Sequence, residues 1–524
     1  MRKALAALCL GALALAPAGA PRAQALRVGV QSPFTLDPHF LFLGPNMAAA
    51  RHIFDSLVGR DADSNWVPGL AESWTLVSDR VWEFRLRQGV TFHDGTPFTA
   101  EDVAFTLNRI PNVPNNPGPY TTNLRTIERV EVVDPYTVRI HTDRPNPVLP
   151  GQLTNIFVVS AALTRNATTA DFNAGRAAIG TGPFRLLSYS GPEGMRLARN
   201  DRYWGRRPDW EEVRLRIITN DGARLAALLA GDIDVMENVP VADAERLRRE
   251  NKVQVFSKPS DRVMFLVPQT GAKPLPSATD AKGQPLPANA MADLSVRRAV
   301  SMAIDRKALA ERALDGQAVA TGQLAPEGFG GWSASIQPPA VDPAGARRLL
   351  TEAGYPDGLG LSVACSNDRY VSDARVCQVV GQMLTRAGFK AQVETMPGSV
   401  FFPRVRPGHN DMPLMLFGLS LSSSRDVSYL LSTVIHTRST DSDLGTGNRG
   451  DFSDPRIDAM IMDVTTRTDA GRLEALTKVM QAVLDQQAII PLYNQVTIAG
   501  ARKGIVYTPR MDEQMVATEA RLAR

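Results

Sequence analysis

Residues 71–103 read AESWTLVSDRVWEFRLRQGVTFHDGTPFTAEDV. Trp82, Phe84 and Leu86 alternate with Glu83, Arg85 and Arg87. A period of two sends one row of side chains to an apolar face and the other to water, so this stretch predicts a half-buried strand. Gly89 turns the chain, Val90 and Phe92 resume the alternation, and Asp94-Gly95 is a tight turn. Thr99 then stands at a helix N-cap, with Glu101 and Asp102 in the first turn, where carboxylates suit the positive helix end.

Working outward from this stretch, strands and helices alternate. Upstream, Leu26–Val30 reads as a strand, Leu36-Asp37-Pro38-His39 as a turn and Asn46–Val58 as a helix. Downstream, Val130–Val133 and Thr137–His141 flank Asp134-Pro135-Tyr136 as a hairpin. Gly180–Pro183 reads as a turn, followed by strand Arg214–Ile218, helix Gly222–Ala230 and strand Asp232–Met236. Lys273–Ala290, rich in Pro, Gly, Ala and Asp, reads as a surface loop or an inter-lobe excursion. Leu294–Leu314 is one long amphipathic helix capped by Asp293. Asp342-Pro343 opens another that Gly354 ends, Asp454-Pro455 opens a third and Leu473–Leu484 is a fourth. The pattern predicts an α/β architecture without internal repeats.

The amino terminus carries Arg2 and Lys3, an apolar run Ala4–Ala16, breakers Pro17 and Gly19, and the small-x-small triplet Ala23-Gln24-Ala25. This predicts a secretory signal peptide with Leu26 as the first mature residue. Leu8 before Cys9 does not fit a lipobox, so a freely soluble exported protein is expected. The formal charge of +4 drops by three when Arg2, Lys3 and Arg22 leave, and no dense Lys/Arg run remains, which excludes a nucleic-acid partner. Cys365 and Cys377 remain; in an oxidising compartment they are either a disulfide or two buried thiols.

Signals for catalysis are absent. There is no G-x-S-x-G elbow and no HExxH. Gly445-Thr446-Gly447-Asn448-Arg449-Gly450 matches G-x-G-x-x-G in letters only, since it follows the polar stretch Ser439–Asp443 and no βαβ unit surrounds it. His409 and His436 lack local partners, so no protein-built metal site and no cofactor are expected.

The opening stretch carries Trp82-x-Phe84-x-Leu86-Arg87, Val90-x-Phe92-His93-Asp94-Gly95 and Phe98-x-Ala100-x-Asp102-Val103 in order. Gly180–Phe184, Arg199-Asn200-Asp201-x-Tyr203-Trp204-Gly205 and Gly231-Asp232-Ile233-Asp234 follow. Then come Val296–Ala299 with Ala303–Arg306, Ala353–Gly358 and Pro491-Leu492-Tyr493. This series resembles solute-binding protein family 5, the peptide- and nickel-binding receptors of ABC importers. The resemblance implies the α/β, two-lobed periplasmic binding protein fold of type II, in its large form with an extra subdomain and hinge-linked lobes. The expected division is a signal peptide at 1–25, a first lobe at 26–265 with a subdomain at about 64–150, a second lobe at 266–489 and a return to the first lobe at 490–524. The implied function is capture of a peptide-like or other small solute between the lobes and delivery to an inner-membrane ABC permease, by a monomer. A periplasmic hydrolase and a chemosensory or chaperone-like binding protein on the same fold are the alternatives. His93-Asp94-Gly95 is then a hairpin turn and not an acid/base pair, and Gly180–Pro183 is a turn near the hinge.

The resemblance also supplies candidate ligand contacts. Phe42, Asn46 and Met47 follow its first cleft-lining stretch, though each reads equally as core; Tyr120 lies on a loop that faces the cleft in relatives. Arg369-Tyr370 falls near the position where dipeptide-binding relatives carry an arginine for the ligand carboxylate. Gly418–Asp426 departs from the pattern. Peptide-binding relatives have Gly-Trp followed by an acid for the peptide ammonium; here the Trp position is Leu419 and the acid position Ser422, within Ser420, Ser422, Arg425 and Asp426. A free ammonium then lacks its partner unless Asp426 supplies it, which favours an anionic, neutral or N-blocked solute. Binding of a nickel chelate stays open.

Overall fold

The structure, a computed structural model, describes residues 25–440 and 442–523. The expected signal peptide at 1–25 lies outside the described residues apart from Ala25. One mixed sheet organises the chain. From one edge its strands are Phe389–Met396, Leu359–Ser366, Leu414–Ser420, Val253–Pro268, Ile490–Arg502, Val235–Met236, Ala25–Val30, Glu212–Ile217, Gly194–Arg199 and Phe184–Ser190.

Two long strands at the middle of this order, Val253–Pro268 and Ile490–Arg502, carry the chain between two halves. They pair from Val253↔Arg502 to Pro259↔Val496, lose register across Ser260–Arg262, and resume at Val263↔Asn494. On one side of the break the second strand pairs with Val235–Met236; on the other the first pairs with Leu414–Ser420. A register shift locally disrupts the ladder and bends the strand, and here it sits where the two halves meet. One core packs around Leu26, Val28, Phe54, Phe184 and Trp210, and others around Val300, Leu361 and Val376, and around Phe417, Leu430 and Met480.

The opening stretch forms strands Ala71–Ser78 and Val81–Leu86, which join Thr137–Thr142 and Ile127–Asp134 in a separate four-stranded sheet. Phe84 and Leu86 are buried, as the alternation requires. Helix Ala100–Arg109 closes over this sheet, and the Asp102 carboxylate accepts the Thr99 N–H at 2.9 Å. His93 is a fastening residue and not an acid or base. Its Nε2 lies 3.0 Å from the Gly182 carbonyl, and burial pushes its pKa down to about 4.

Three local expectations change. The helix expected over Asn46–Val58 runs Gly44–Ile53, because Phe54 turns extended and Val58–Arg60 becomes a strand. The single helix over Leu294–Leu314 is two, Leu294–Ala303 and Arg306–Leu314, with Ile304 extended between them. Asp305 caps the second by accepting the Ala308 N–H, and buried Arg306 satisfies the Ser301 and Ile304 carbonyls that the break leaves open. Gly180–Pro183 packs against the end of helix Gly44–Ile53 and not at the long strands where the halves meet. The Gly182 N–H donates to the Ile53 carbonyl, and a Cβ at Gly180 would collide with that same oxygen. Cys365 and Cys377 are joined by a disulfide.

Candidate functional site

Strand Leu414–Ser420 runs antiparallel to Val253–Pro268 with Ser420 opposite Arg262, so it ends at the register break. The serine-rich segment that follows faces a cavity of about 790 Å³ between the halves. Phe42, Met47, Thr122, Asn123 and Asn155 line it from one side; Arg369, Leu419, Ser420, Ser422 and Tyr429 line it from the other. Arg262 stands at the break itself.

Four arginines and two aspartates line this cavity. Arg262 is held by Glu513 through Nε and Nη2 at 2.9 and 2.8 Å, and Glu513 also accepts Gln495 Nε2 at 2.8 Å. Arg125 pairs with Asp443 at 3.1 Å and Arg144 with Asp143 at 3.2 Å. Arg369 is exposed, lies 5.2 Å over the Tyr370 ring, and has no carboxylate partner among the described residues. Its own loop is fixed from below: Asp373 Oδ2 accepts the Arg369 and Tyr370 N–H groups, each at 3.1 Å, and the Tyr370 hydroxyl donates to the Gly418 carbonyl at 3.2 Å.

Several contacts tie the two walls together. Asn155, fully buried, donates to Ser423 Oγ at 2.8 Å. Gly151 allows this approach, since a Cβ there would collide with the Ser423 carbonyl. Asp261 is buried at the break, where Ser64 and Ser420 donate to its two oxygens at 2.9 and 2.5 Å. Burial pushes the Asp261 carboxyl up to about 7; Asp512 and Glu513 add to the rise and the Ser420 hydroxyl opposes it.

Of the residues singled out from sequence, Phe42, Met47, Arg369, Ser420 and Ser422 line the cavity. The other five lie elsewhere, for stated reasons. Asn46 is buried and holds its own loop, accepting the Thr35 N–H and donating to the Leu41 carbonyl. Tyr120 is fully buried, 4.9 Å from the Phe42 ring, and supports that ring from behind. Tyr370 is wedged between Arg262 and Arg369. Arg425 sits at φ +53° over the Phe329 ring and donates to Asn65 Oδ1. Asp426 is buried against Arg472 at 2.7 Å and accepts the Ser428 N–H at 2.8 Å, so it is not free to meet a ligand ammonium. Arg125, Arg262 and Asn155 were missed: Arg262 sits inside the long strand and Asn155 directly before the apolar run Ile156–Val159, where the pattern reads as core, and Arg125 stands in a turn. No group of metal-ligating side chains large enough to hold an ion occurs among the described residues.

The model of the bacterial extracellular solute-binding proteins, family 5, matches residues 65–441. The glutathione-binding protein GsiB of Pectobacterium atrosepticum is 26% identical over 475 residues, covering 89% of this chain and 87% of that protein. GsiB of Salmonella paratyphi A is 30% identical over 401 residues, 75% of this chain and 73% of that protein. Among solved structures, the ABC transporter substrate binding protein CtaP of Listeria monocytogenes superposes with a TM-score of 0.82 at 20% identity, covering 95% of this chain and 99% of CtaP.

Proposed function

The chain belongs to the bacterial extracellular solute-binding proteins of family 5, and we propose that its cavity takes a small solute bearing a carboxylate or similar anionic group. As a member of that family it is the substrate-binding component of an ABC transporter, working outside the cytoplasm, and not an enzyme. No helix among the described residues is long and apolar enough to cross a membrane.

The observation that carries the anionic reading is the charge balance of the cavity. Both lining aspartates are already engaged by lining arginines, and Arg262 by Glu513, which leaves Arg369 as the lining cation without a carboxylate partner among the described residues. A guanidinium resting on an aromatic face beside a cavity presents its fork to a carboxylate, for which planar bidentate geometry is well suited. The hydroxyl wall from Ser420 to Ser424 adds donors that suit oxygen-rich solutes. A cavity of about 790 Å³ accommodates a peptide-sized or similar small molecule. The relatives named for glutathione supply one anionic peptide to try first.

The working division keeps the first lobe at 26–265 and 490–524 and the second at 266–489, with the chain acting as a monomer. The register break at Ser260–Arg262 supports a hinge there. Solute touching both walls gains contacts only when the lobes meet, so binding shifts the population towards the closed form. Mass spectrometry of solute released from the purified protein tests the reading directly. An anionic small molecule is expected; a cationic or uncharged one overturns it. Light scattering in solution tests the monomer.

A further inference from the structure

Asp261 stands where the long strand loses register, and its side chain is fully buried. Two hydroxyls reach its carboxyl and, among the described residues, no cation pairs with it. Ser64 donates to Oδ2 at 2.9 Å, and Ser420 Oγ lies 2.5 Å from Oδ1. The charged groups packed around it are engaged with one another. Arg262, next along the strand, is held by Glu513. In the carboxy-terminal return, Arg510 takes both oxygens of Asp512 at 2.9 Å, and Arg60 shares Asp512 at 3.5 Å. Burial, with Asp512 and Glu513 close by, pushes the Asp261 carboxyl up to about 7.

Counting hydrogens shows what that proton does. The fully buried Ser64 hydroxyl has no other acceptor among the described residues, so its hydrogen fills Oδ2. A proton kept by Asp261 therefore sits on Oδ1 and is donated to Ser420 Oγ. Ser420 has one hydroxyl hydrogen and two acceptors in reach, Asp261 Oδ1 and, at 3.1 Å, Ser422 Oγ. With Asp261 neutral, that hydrogen goes to Ser422, whose own hydroxyl hydrogen then has no acceptor among the described residues. With Asp261 ionised, Ser420 turns to the carboxylate and Ser422 turns to Ser420. The chain of hydroxyls then points away from the cavity that both serines line.

We propose that Asp261 is a positioning residue for solute capture: as a neutral acid it donates to Ser420, Ser420 donates to Ser422, and the Ser422 hydroxyl is left to donate to an anionic oxygen of the solute. This rests on the reading of the cavity as a site for an anionic group, and deepens it. Ser422 is the position where the resemblance expects an acid for a peptide ammonium. The relay makes the same wall a donor to carboxylate. Capture is then strongest while Asp261 holds its proton, and weakens as pH rises through about 7.

The first test needs no solute. Infrared difference spectra of the mature protein against Asp261→Asn follow the carbonyl band of the protonated carboxyl across the neutral range. Loss of that band with a midpoint near neutral pH is expected. Ser420→Ala should raise the midpoint by about one pH unit, since it removes a donor to the ionised form. A carboxyl already ionised well below neutral pH, or a midpoint that Ser420→Ala leaves in place, overturns the proposal. The second test is calorimetry with glutathione, the solute named for the relatives. Its affinity should fall about 10-fold between pH of about 5.5 and about 8.5 in the wild type. The slope should be lost in Asp261→Asn and in Ser422→Ala, which meet the same titration of glutathione itself. An equal slope in both variants overturns the relay. Failure of glutathione to bind at any pH counts against the anionic reading of the cavity, and the Ser420→Ala midpoint still decides the relay.

Discussion

Two loops carry an arginine that the sequence offers as a ligand contact, and the fold uses them differently. The loop between strand Leu359–Ser366 and helix Asp373–Arg386 presents Arg369 exposed, resting on Tyr370, with no acid paired to it among the described residues. In the loop after strand Leu414–Ser420, Arg425 lies over Phe329 and bonds to Asn65, while Asp426 is locked to Arg472. Arg425 lies off the cavity lining, its Nε buried without a hydrogen bond, whereas Arg369 is stacked and unpaired at the cavity edge and keeps its fork free. The lesson is that access to the cavity, and not position in a loop or the presence of an acid, separates the two arginines.

The contrast breaks most visibly if the Arg425 loop is not held together by its acid. Asp426→Ala takes the carboxylate from half-buried Arg472 and is expected to cost about 3 kcal/mol, read by chemical denaturation. A loss under about 1 kcal/mol would mean that the pair is solvated and the loop free to adapt. The Arg369 loop has a different fastening. The Cys365–Cys377 disulfide closes a short segment around it, and Cys365→Ser with Cys377→Ser is expected to cost about 2–3 kcal/mol. Unchanged stability in the double variant would place the rigidity of that loop in the Asp373 hydrogen bonds instead.

A pH scan sharpens the comparison at the point where the second loop leaves the sheet. Asp261 has a folded pKa of about 7, above its ordinary value of 3.8, so the folded state holds a proton that the unfolded state gives up between them. Its contribution is therefore present at low pH and lost as pH rises through about 7, by at most about 1.4 kcal/mol for each pH unit in that window. Asp261→Asn should flatten that part of the stability profile; an unaltered slope would assign it to other groups.

Binding gives the closest comparison. Arg369→Ala should weaken an anionic solute about 10-fold, with stability unchanged because the side chain is exposed. Arg425→Ala should change the same affinity by less than about 3-fold, through closure alone. If calorimetry finds the reverse order, Arg425 is the ligand arginine and the distinction drawn here is inverted.

Much of the frame was legible beforehand because short-range rules govern it. Alternation buried Phe84 and Leu86, and the caps at Thr99, Asp342 and Asp454 sit where acid or hydroxyl groups precede a helix. The break at Ile304 was not legible: the apolar spacing runs through it, and only the packing of Arg306 against the Pro491 carbonyl of the long strand shows why the helix stops. Asn46 and Tyr120 look like ligand contacts by position, yet Asn46 is committed to its own loop and Tyr120 to the Phe42 ring far along the chain, contacts that no periodic pattern reports.

The sequence by itself determined the family, the α/β class, the export expectation and the absence of an acid at Ser422, since these depend on residue identities in order. Tertiary structure alone decided which charges are spent. Arg262 meets Glu513 from the far end of the chain, Arg125 meets Asp443, and Asp426 meets Arg472. Arg369 is left without a carboxylate among the described residues. Ion pairing acts through space at a few ångströms, and residues that close are set by how the two lobes fold back on the long strands, which no stretch of sequence records.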